Sequence, residues 1–81
     1  MRIRLLAFAT ASQALGAAEG SIDLPDGSTL GDLRRALALR SPELARRLPT
    51  LALALDGELA ADASALADCS EVALLPPVSG G

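Results

Sequence analysis

The run Ser21-Ile22-Asp23-Leu24-Pro25-Asp26-Gly27-Ser28-Thr29-Leu30-Gly31-Asp32-Leu33-Arg34-Arg35-Ala36-Leu37-Ala38-Leu39-Arg40 decides how the rest of the chain is read. Its first residues set Ile22 and Leu24 against Asp23, the alternation of a strand with one buried face. Pro25-Asp26-Gly27 stops that strand with strong turn chemistry. A hydroxyl follows at Ser28 or Thr29, able to cap exposed backbone N–H groups, and Asp32 falls in the first turn, where the helix dipole favours negative charge. Leu30, Leu33 and Leu37 come next at spacings of three and four, so one apolar stripe runs along a helix while Arg34, Arg35 and Arg40 point elsewhere. Such a stripe needs a sheet to lie on.

The flanking segments supply the sheet. Upstream, residues 2–9 read as a first strand with Ile3 and Leu5 on one face and Arg2 and Arg4 on the other. A short helical turn over residues 10–15, ended by Gly16, joins it to the second strand as a hairpin. Downstream, Ser41-Pro42 suits the cap and first position of another short helix through Arg47, closed by Pro49. Leu51, Leu53 and Leu55 alternate with alanines as a third strand, whose small residues let something pack closely on the other face. Asp56-Gly57 is a two-residue hairpin signal into residues 58–60. Residues 61–70 are polar and irregular, with one helical turn expected near Ala63 to Leu66, before a last strand at residues 71–75. The order strand, strand, helix, strand, strand, strand predicts an α+β domain, a mixed sheet of about five strands with one main helix across one face. That is the β-grasp, or ubiquitin-like, layout, over residues 1–75 with an extended tail at 76–81.

Composition narrows the function. The 81 residues carry ten acids against seven arginines, a net charge of −3, and no long basic run, which argues against a nucleic-acid partner. With no His, no Lys and one Cys, the chain lacks the usual zinc ligands, general bases and Schiff-base lysine, so no metal site is expected. No stretch approaches the roughly 20 apolar residues of a membrane span. Met1-Arg2-Ile3-Arg4 before Leu5-Leu6-Ala7-Phe8-Ala9 has the outline of a secretory signal, but the apolar run is short and broken by Thr10, Ser12 and Gln13, and residues 2–5 alternate as a strand does. A lone Cys69 has no internal disulfide partner, and the cytoplasm is the expected compartment.

The chemistry is expected at the end of the chain. Pro76-Pro77 fixes two φ angles, so the chain should leave the last strand stiff and extended. Val78 and Ser79 lead to Gly80-Gly81, which lack β-carbons and can pass a channel too narrow for other residues.

The ending Asp68-Cys69-Ser70-Glu71-Val72-Ala73-Leu74-Leu75-Pro76-Pro77-Val78-Ser79-Gly80-Gly81 resembles the small, sulfur-carrying subunit of molybdopterin synthase, whose members close with a similar acidic turn, apolar strand, Pro-Pro-Val and Gly-Gly. Leu6-Ala7-Phe8-Ala9 with Gly16 closing the turn resembles the same family. The resemblance implies that the Gly81 carboxylate is adenylated by a ubiquitin-activating-type partner at the expense of ATP and converted to a thiocarboxylate with sulfur from a donor. It also implies a larger synthase subunit, which receives the tail, holds the catalytic side chains and passes the sulfur to a cyclic pyranopterin precursor. The carrier itself binds no cofactor in this reading. The resemblance implies docking through the surface near Leu74, Leu75 and Val78, and Phe8, Leu74 and Leu75 are the expected docking residues. Neighbours on a last strand point to opposite faces, so at least one of Leu74, Leu75 and Val78 is expected to be exposed and not core. The sequence departs from the family at Ala7, Leu74 and Leu75, where aromatic residues are common, near Ser12, where an arginine is common, and at Cys69, where a turn glycine is common.

Three other readings share these features: a sulfur carrier for thiazole or cysteine synthesis, a protein modifier joined through Gly81 to lysines, and a β-grasp binding module without acyl chemistry. Pro-Pro-Val ahead of the glycines favours the molybdopterin branch. Cys69, in a polar turn without a nearby base, reads as a turn residue and not a sulfur relay. Arg46-Arg47 reads as a solvated helix end.

Overall fold

The computed structural model describes residues 1–76. Five strands and three helices follow in the order β1 (Arg2–Ala7), α1 (Thr10–Leu15), β2 (Glu19–Asp23), α2 (Leu30–Arg40), α3 (Pro42–Arg47), a 3-10 turn (Leu48–Thr50), β3 (Ala52–Leu55), β4 (Glu58–Leu59) and β5 (Glu71–Leu75). The strands form one sheet in the order β2-β1-β5-β3-β4. Among the described residues only the β1–β5 pair is parallel, with Arg4 opposite Glu71 and Ala7 opposite Leu74. The β1–β2, β3–β5 and β3–β4 pairs are antiparallel. This is the expected mixed β-grasp sheet.

Helix α2 lies across one face for the reason its spacing gives. Leu30, Leu33 and Leu37 are fully buried, against Ile3, Leu5, Leu53, Val72 and Leu74 of the sheet. Each fully buried Leu or Ile contributes about 1.5–3 kcal/mol through the hydrophobic effect, so an aliphatic core without aromatic residues suffices for a domain of this size. The helix starts with a capping box: the Asp32 N–H donates to Thr29 Oγ1 at 3.3 Å, and the Thr29 N–H donates to Asp32 Oδ2 at 2.9 Å. Ser41 Oγ accepts from the Leu44 N–H at 3.2 Å and begins α3 with Pro42 in its first turn, as expected from Ser41-Pro42. The Asp56-Gly57 turn has both φ angles positive, 49° and 90°, which gives the twist a two-residue hairpin needs.

One expected element is absent. Instead of a helical turn near Ala63 to Leu66, the chain makes a tight turn at Asp62-Ala63 and runs past the start of α2, where Ala65 bridges to Thr29. The Ser64 and Asp62 carbonyls accept from the Leu30 and Gly31 N–H groups, each at 2.9 Å, and the Leu66 N–H donates to Ser28 O at 3.0 Å. The open N–H groups at a helix start would otherwise lack partners, and satisfying them outweighs the weak helical preference of a four-residue stretch.

Candidate functional site

Strand β5 is the root of the tail, and it sits in the middle of the sheet between β1 and β3. Because β1 and β5 are parallel, both reach the same end of the sheet, which puts Phe8 beside the point where Pro76 leaves. The Phe8 N–H donates to Leu74 O at 3.2 Å. Phe8 keeps 49% of its surface exposed. Ala9, at φ 51°, then turns the chain away into α1, and its carbonyl accepts from both the N–H and the hydroxyl of Ser12, at 3.1 and 2.7 Å.

Strand register builds an apolar surface on the face away from α2. Leu6, Ala73, Ala54 and Leu59 lie side by side across β1, β5, β3 and β4. Ala52 and Leu75 form the next row, toward the tail. On the other side of the leucine and alanine row the surface becomes charged, with Arg4 and Glu71 paired at 3.7 Å and the Glu71 N–H donating to Asp56 Oδ1 at 2.9 Å. Polarity is therefore graded across one face, apolar next to the tail and ionic away from it. Leu59, the most open member, keeps 74% of its surface exposed. Ala54, in the middle of the row, is buried between its neighbours, so Leu6 and Leu59 provide most of the row's open apolar surface.

The expected docking residues separate here. Phe8 and Leu75 border this surface, Leu75 being partly buried on the outer face. Leu74 does not: it is fully buried opposite Ala7 and Leu53, because alternation along β5 turns Val72 and Leu74 into the core and Ala73 and Leu75 out. Its docking role is withdrawn. Leu6 and Leu59 were missed, although the signal was present. Arg2 and Arg4 mark the solvent face of β1, so Leu6 shares it, and the Asp56-Gly57 hairpin brings Leu59 back beside Ala54. Pro76 is partly buried at the root, while Pro77, Val78, Ser79, Gly80 and Gly81 lie outside the described residues.

Two carboxylates near α2 and α3 are held below their ordinary range. Asp32 is lowered first by the Thr29 backbone N–H and then by Arg35. Glu43 is lowered by hydrogen bonds from Arg47 and then Arg46. Both act at helix starts and belong to the scaffold. Cys69 is exposed in the turn before β5 with φ at 66°, the left-handed conformation that a glycine adopts more easily. Among the described residues no group of three or more His, Cys, Asp or Glu side chains could hold a metal ion. No helix of the described residues is long and apolar enough to cross a membrane.

A family model, that of the ThiS family, matches residues 5–81. The chain belongs to that family. It is 36% identical over 83 residues to a molybdopterin synthase sulfur carrier subunit from Chlamydomonas reinhardtii, covering all of both chains. Among solved structures, small archaeal modifier protein 1 from Haloferax volcanii superposes with a TM-score of 0.85 at 28% identity, over 95% of this chain and 98% of that one. A complex of subunits 1 and 2 of the molybdopterin-converting factor from Helicobacter pylori contains a similar chain, at TM-score 0.72 and 27% identity over the full length of both. These likenesses accord with the β-grasp sheet, and the solved complex is of two different subunits.

Proposed function

We propose that this ThiS-family chain is the sulfur-carrier subunit of a molybdopterin synthase, docking through its graded sheet face while its tail enters the active site of a larger subunit. The observation that carries this reading is the apolar row Leu6-Ala73-Ala54-Leu59, which adjoins the root of a tail whose sequence ends in Gly80-Gly81. A partner that buries the row is brought beside the tail by the same contact. The central place of β5 then aims the tail without a catalytic side chain from the carrier.

The chemistry proposed for the tail is acyl activation followed by sulfur transfer. The Gly81 carboxylate attacks the α-phosphorus of ATP on an adenylating partner of the ubiquitin-activating type, giving the acyl-adenylate and pyrophosphate. Sulfide equivalents from a sulfur donor displace AMP and leave a thiocarboxylate. In the larger subunit the thiocarboxylate sulfur attacks a side-chain carbon of the cyclic pyranopterin phosphate and displaces an oxygen leaving group there, a carbon–sulfur bond replacing a carbon–oxygen bond. Water then cleaves the bond between that sulfur and the Gly81 carbonyl carbon, which leaves the sulfur on the pterin and restores the carboxylate. One carrier delivers one sulfur. The partners are thus the larger synthase subunit, the adenylyltransferase and the donor, with the reaction placed in the cytoplasm.

A second reading is favoured by the likeness to small archaeal modifier protein 1: attachment of Gly81 to lysines of other proteins after the same activation. The chain has no lysine, so in this reading it is never itself a lysine acceptor. Intact-mass analysis of the chain isolated from its own cells separates the two. A terminal oxygen replaced by sulfur supports the carrier, and peptides of other proteins branched at a lysine through the Gly81 carbonyl support the modifier. Deletion of Gly81 is expected to abolish molybdoenzyme activity with thermal unfolding unchanged. Unchanged activity in cells lacking other carriers refutes the sulfur-carrier reading.

A further inference from the structure

The side of the domain opposite the sheet face carries a second surface with a different character. Helix α2 meets α3 and the 3-10 turn along an open cleft of about 230 Å³ lined by Arg34, Arg35, Ala38, Ala45, Leu48 and Pro49. Its floor is apolar, from Ala38, Ala45, Leu48 and Pro49, and the two guanidinium-bearing side chains stand at its rim. Leu39, one turn along α2 from Arg35, is 90% exposed.

Charge is divided unevenly along the chain. Residues 30–50 carry five arginines against Asp32 and Glu43, a net of +3, while the remaining residues carry Arg2 and Arg4 against eight acids, a net of −6. The stretch that holds α2, α3 and the 3-10 turn is therefore basic in an acidic protein, with Asp62 from outside it also placed at the start of α2 beside Arg34. The rim arginines do have partners: Arg34 Nε donates to Asp62 Oδ1 at 2.8 Å and its NH1 to Leu48 O at 2.9 Å, and Arg35 pairs with Asp32. Arg35 is 73% exposed at its side chain, so its pair with Asp32 is a surface pair of small worth that an incoming carboxylate can share or replace, whereas Arg34, 25% exposed and held by Asp62 and the Leu48 carbonyl, offers a carboxylate only the guanidinium N–H groups those bonds leave open.

We propose that this cleft is a docking site for an acidic segment of a partner protein that sets one large apolar side chain on the Ala38, Ala45, Leu48 and Pro49 floor and its flanking carboxylates against Arg34 and Arg35. An apolar floor fixes where the segment sits, and the arginines select acidic over basic sequences and speed encounter. Occupancy leaves the sheet face free, so such a partner binds together with one held at the sheet. The inference stands independently of the sulfur-carrier reading.

The test is a nuclear magnetic resonance titration of the full chain labelled with nitrogen-15, using short blocked peptides of glutamates around a central leucine, glutamates around a central serine, and lysines around a central leucine. The acidic leucine peptide is expected to move the amides of Arg34, Arg35, Ala38, Leu39 and Ala45, with affinity falling as salt rises, and the other two are expected to move them far less. Arg35→Glu and, separately, Ala45→Glu, both at exposed positions, should each weaken binding by about fivefold or more with the domain still folded, Arg35→Glu at a small loss of stability because it sets a second carboxylate beside Asp32. Equal response to the lysine peptide, shifts centred on Leu6 and Leu59, or no shifts at millimolar acidic peptide overturn the proposal. So does saturation of the same amides by anionic phospholipid vesicles or single-stranded DNA when the acidic peptide has no effect.

Discussion

Replacing Leu59 by Ala separates docking from folding, because the structure places the side chain almost entirely in solvent. Leu59 keeps 74% of its surface exposed on β4, so its contribution to the folded domain is small, and a partner covering it removes what remains from water. Full burial of a Leu side chain is worth about 1.5–3 kcal/mol, and three quarters of that leaves roughly 1–2 kcal/mol for the complex, a factor of about 5 to 30 in Kd. Leu74→Ala is the contrasting variant: a fully buried side chain removed from the middle of the core, at a cost of about 2–5 kcal/mol in folding. The assay is titration calorimetry of each variant against the larger synthase subunit, with thermal unfolding of the free carriers alongside. Leu59→Ala should weaken binding and leave unfolding within about 0.5 kcal/mol of the parent, as surface changes do. A Leu59→Ala carrier that binds normally, or that loses more stability than affinity, refutes the placement of the docking face.

Other variants test the scaffold that holds this face. Cys69→Gly should stabilise the domain by about 0.5–1 kcal/mol, because φ at 66° strains any residue with a β-carbon; chemical denaturation reads the gain, and a loss refutes the strain. Thr29→Ala should cost about 1 kcal/mol by removing the cap that accepts the Asp32 N–H, measured the same way, and a change near zero shows the cap to be idle. Asp32 lies below its ordinary value of 3.8, so its folded form binds its proton less readily than the unfolded chain does. Its stabilisation is then fully present above 3.8 and is lost as pH falls through the folded value. Asp32→Asn should therefore be less stable than the parent at neutral pH, with the gap closing in acid, and a gap independent of pH contradicts the assignment.

The sheet and main helix were legible because the residues that make them are locally consistent. Thr29, Asp32 and the Leu30, Leu33, Leu37 spacing all point to one helix with one buried side, and Asp56-Gly57 admits one short hairpin. Residues 61–66 were not legible, since their conformation is decided by the open N–H groups of Leu30 and Gly31, which are distant in sequence. The tail motif could be read without coordinates, but the surface beside it could not be completed. Leu74 and Leu75 are chemically alike, and only the register that sets Leu74 against Ala7 and Leu53 says which of them faces the core. Leu6 and Leu59 are more than fifty residues apart, and only four paired strands make them members of one row.

The position of β5 connects the fold to the work proposed for it. A tail inserted into another protein's cavity is pulled whenever the two proteins move apart, and the load passes into the strand that carries it. An edge strand is held by hydrogen bonds on one side and can be peeled away. β5 is paired along both sides, to β1 in parallel and to β3 in antiparallel, and Val72 and Leu74 anchor it beneath α2. Displacing it would break two ladders and open the core together, so the domain resists as a unit while the tail is withdrawn. The same central placement puts Ala73 and Leu75 between the neighbours that complete the apolar face. In the proposed reading, the strand that would bear the load also contributes the contact surface nearest Pro76, and a partner's grip on that surface would shorten the path over which force is carried.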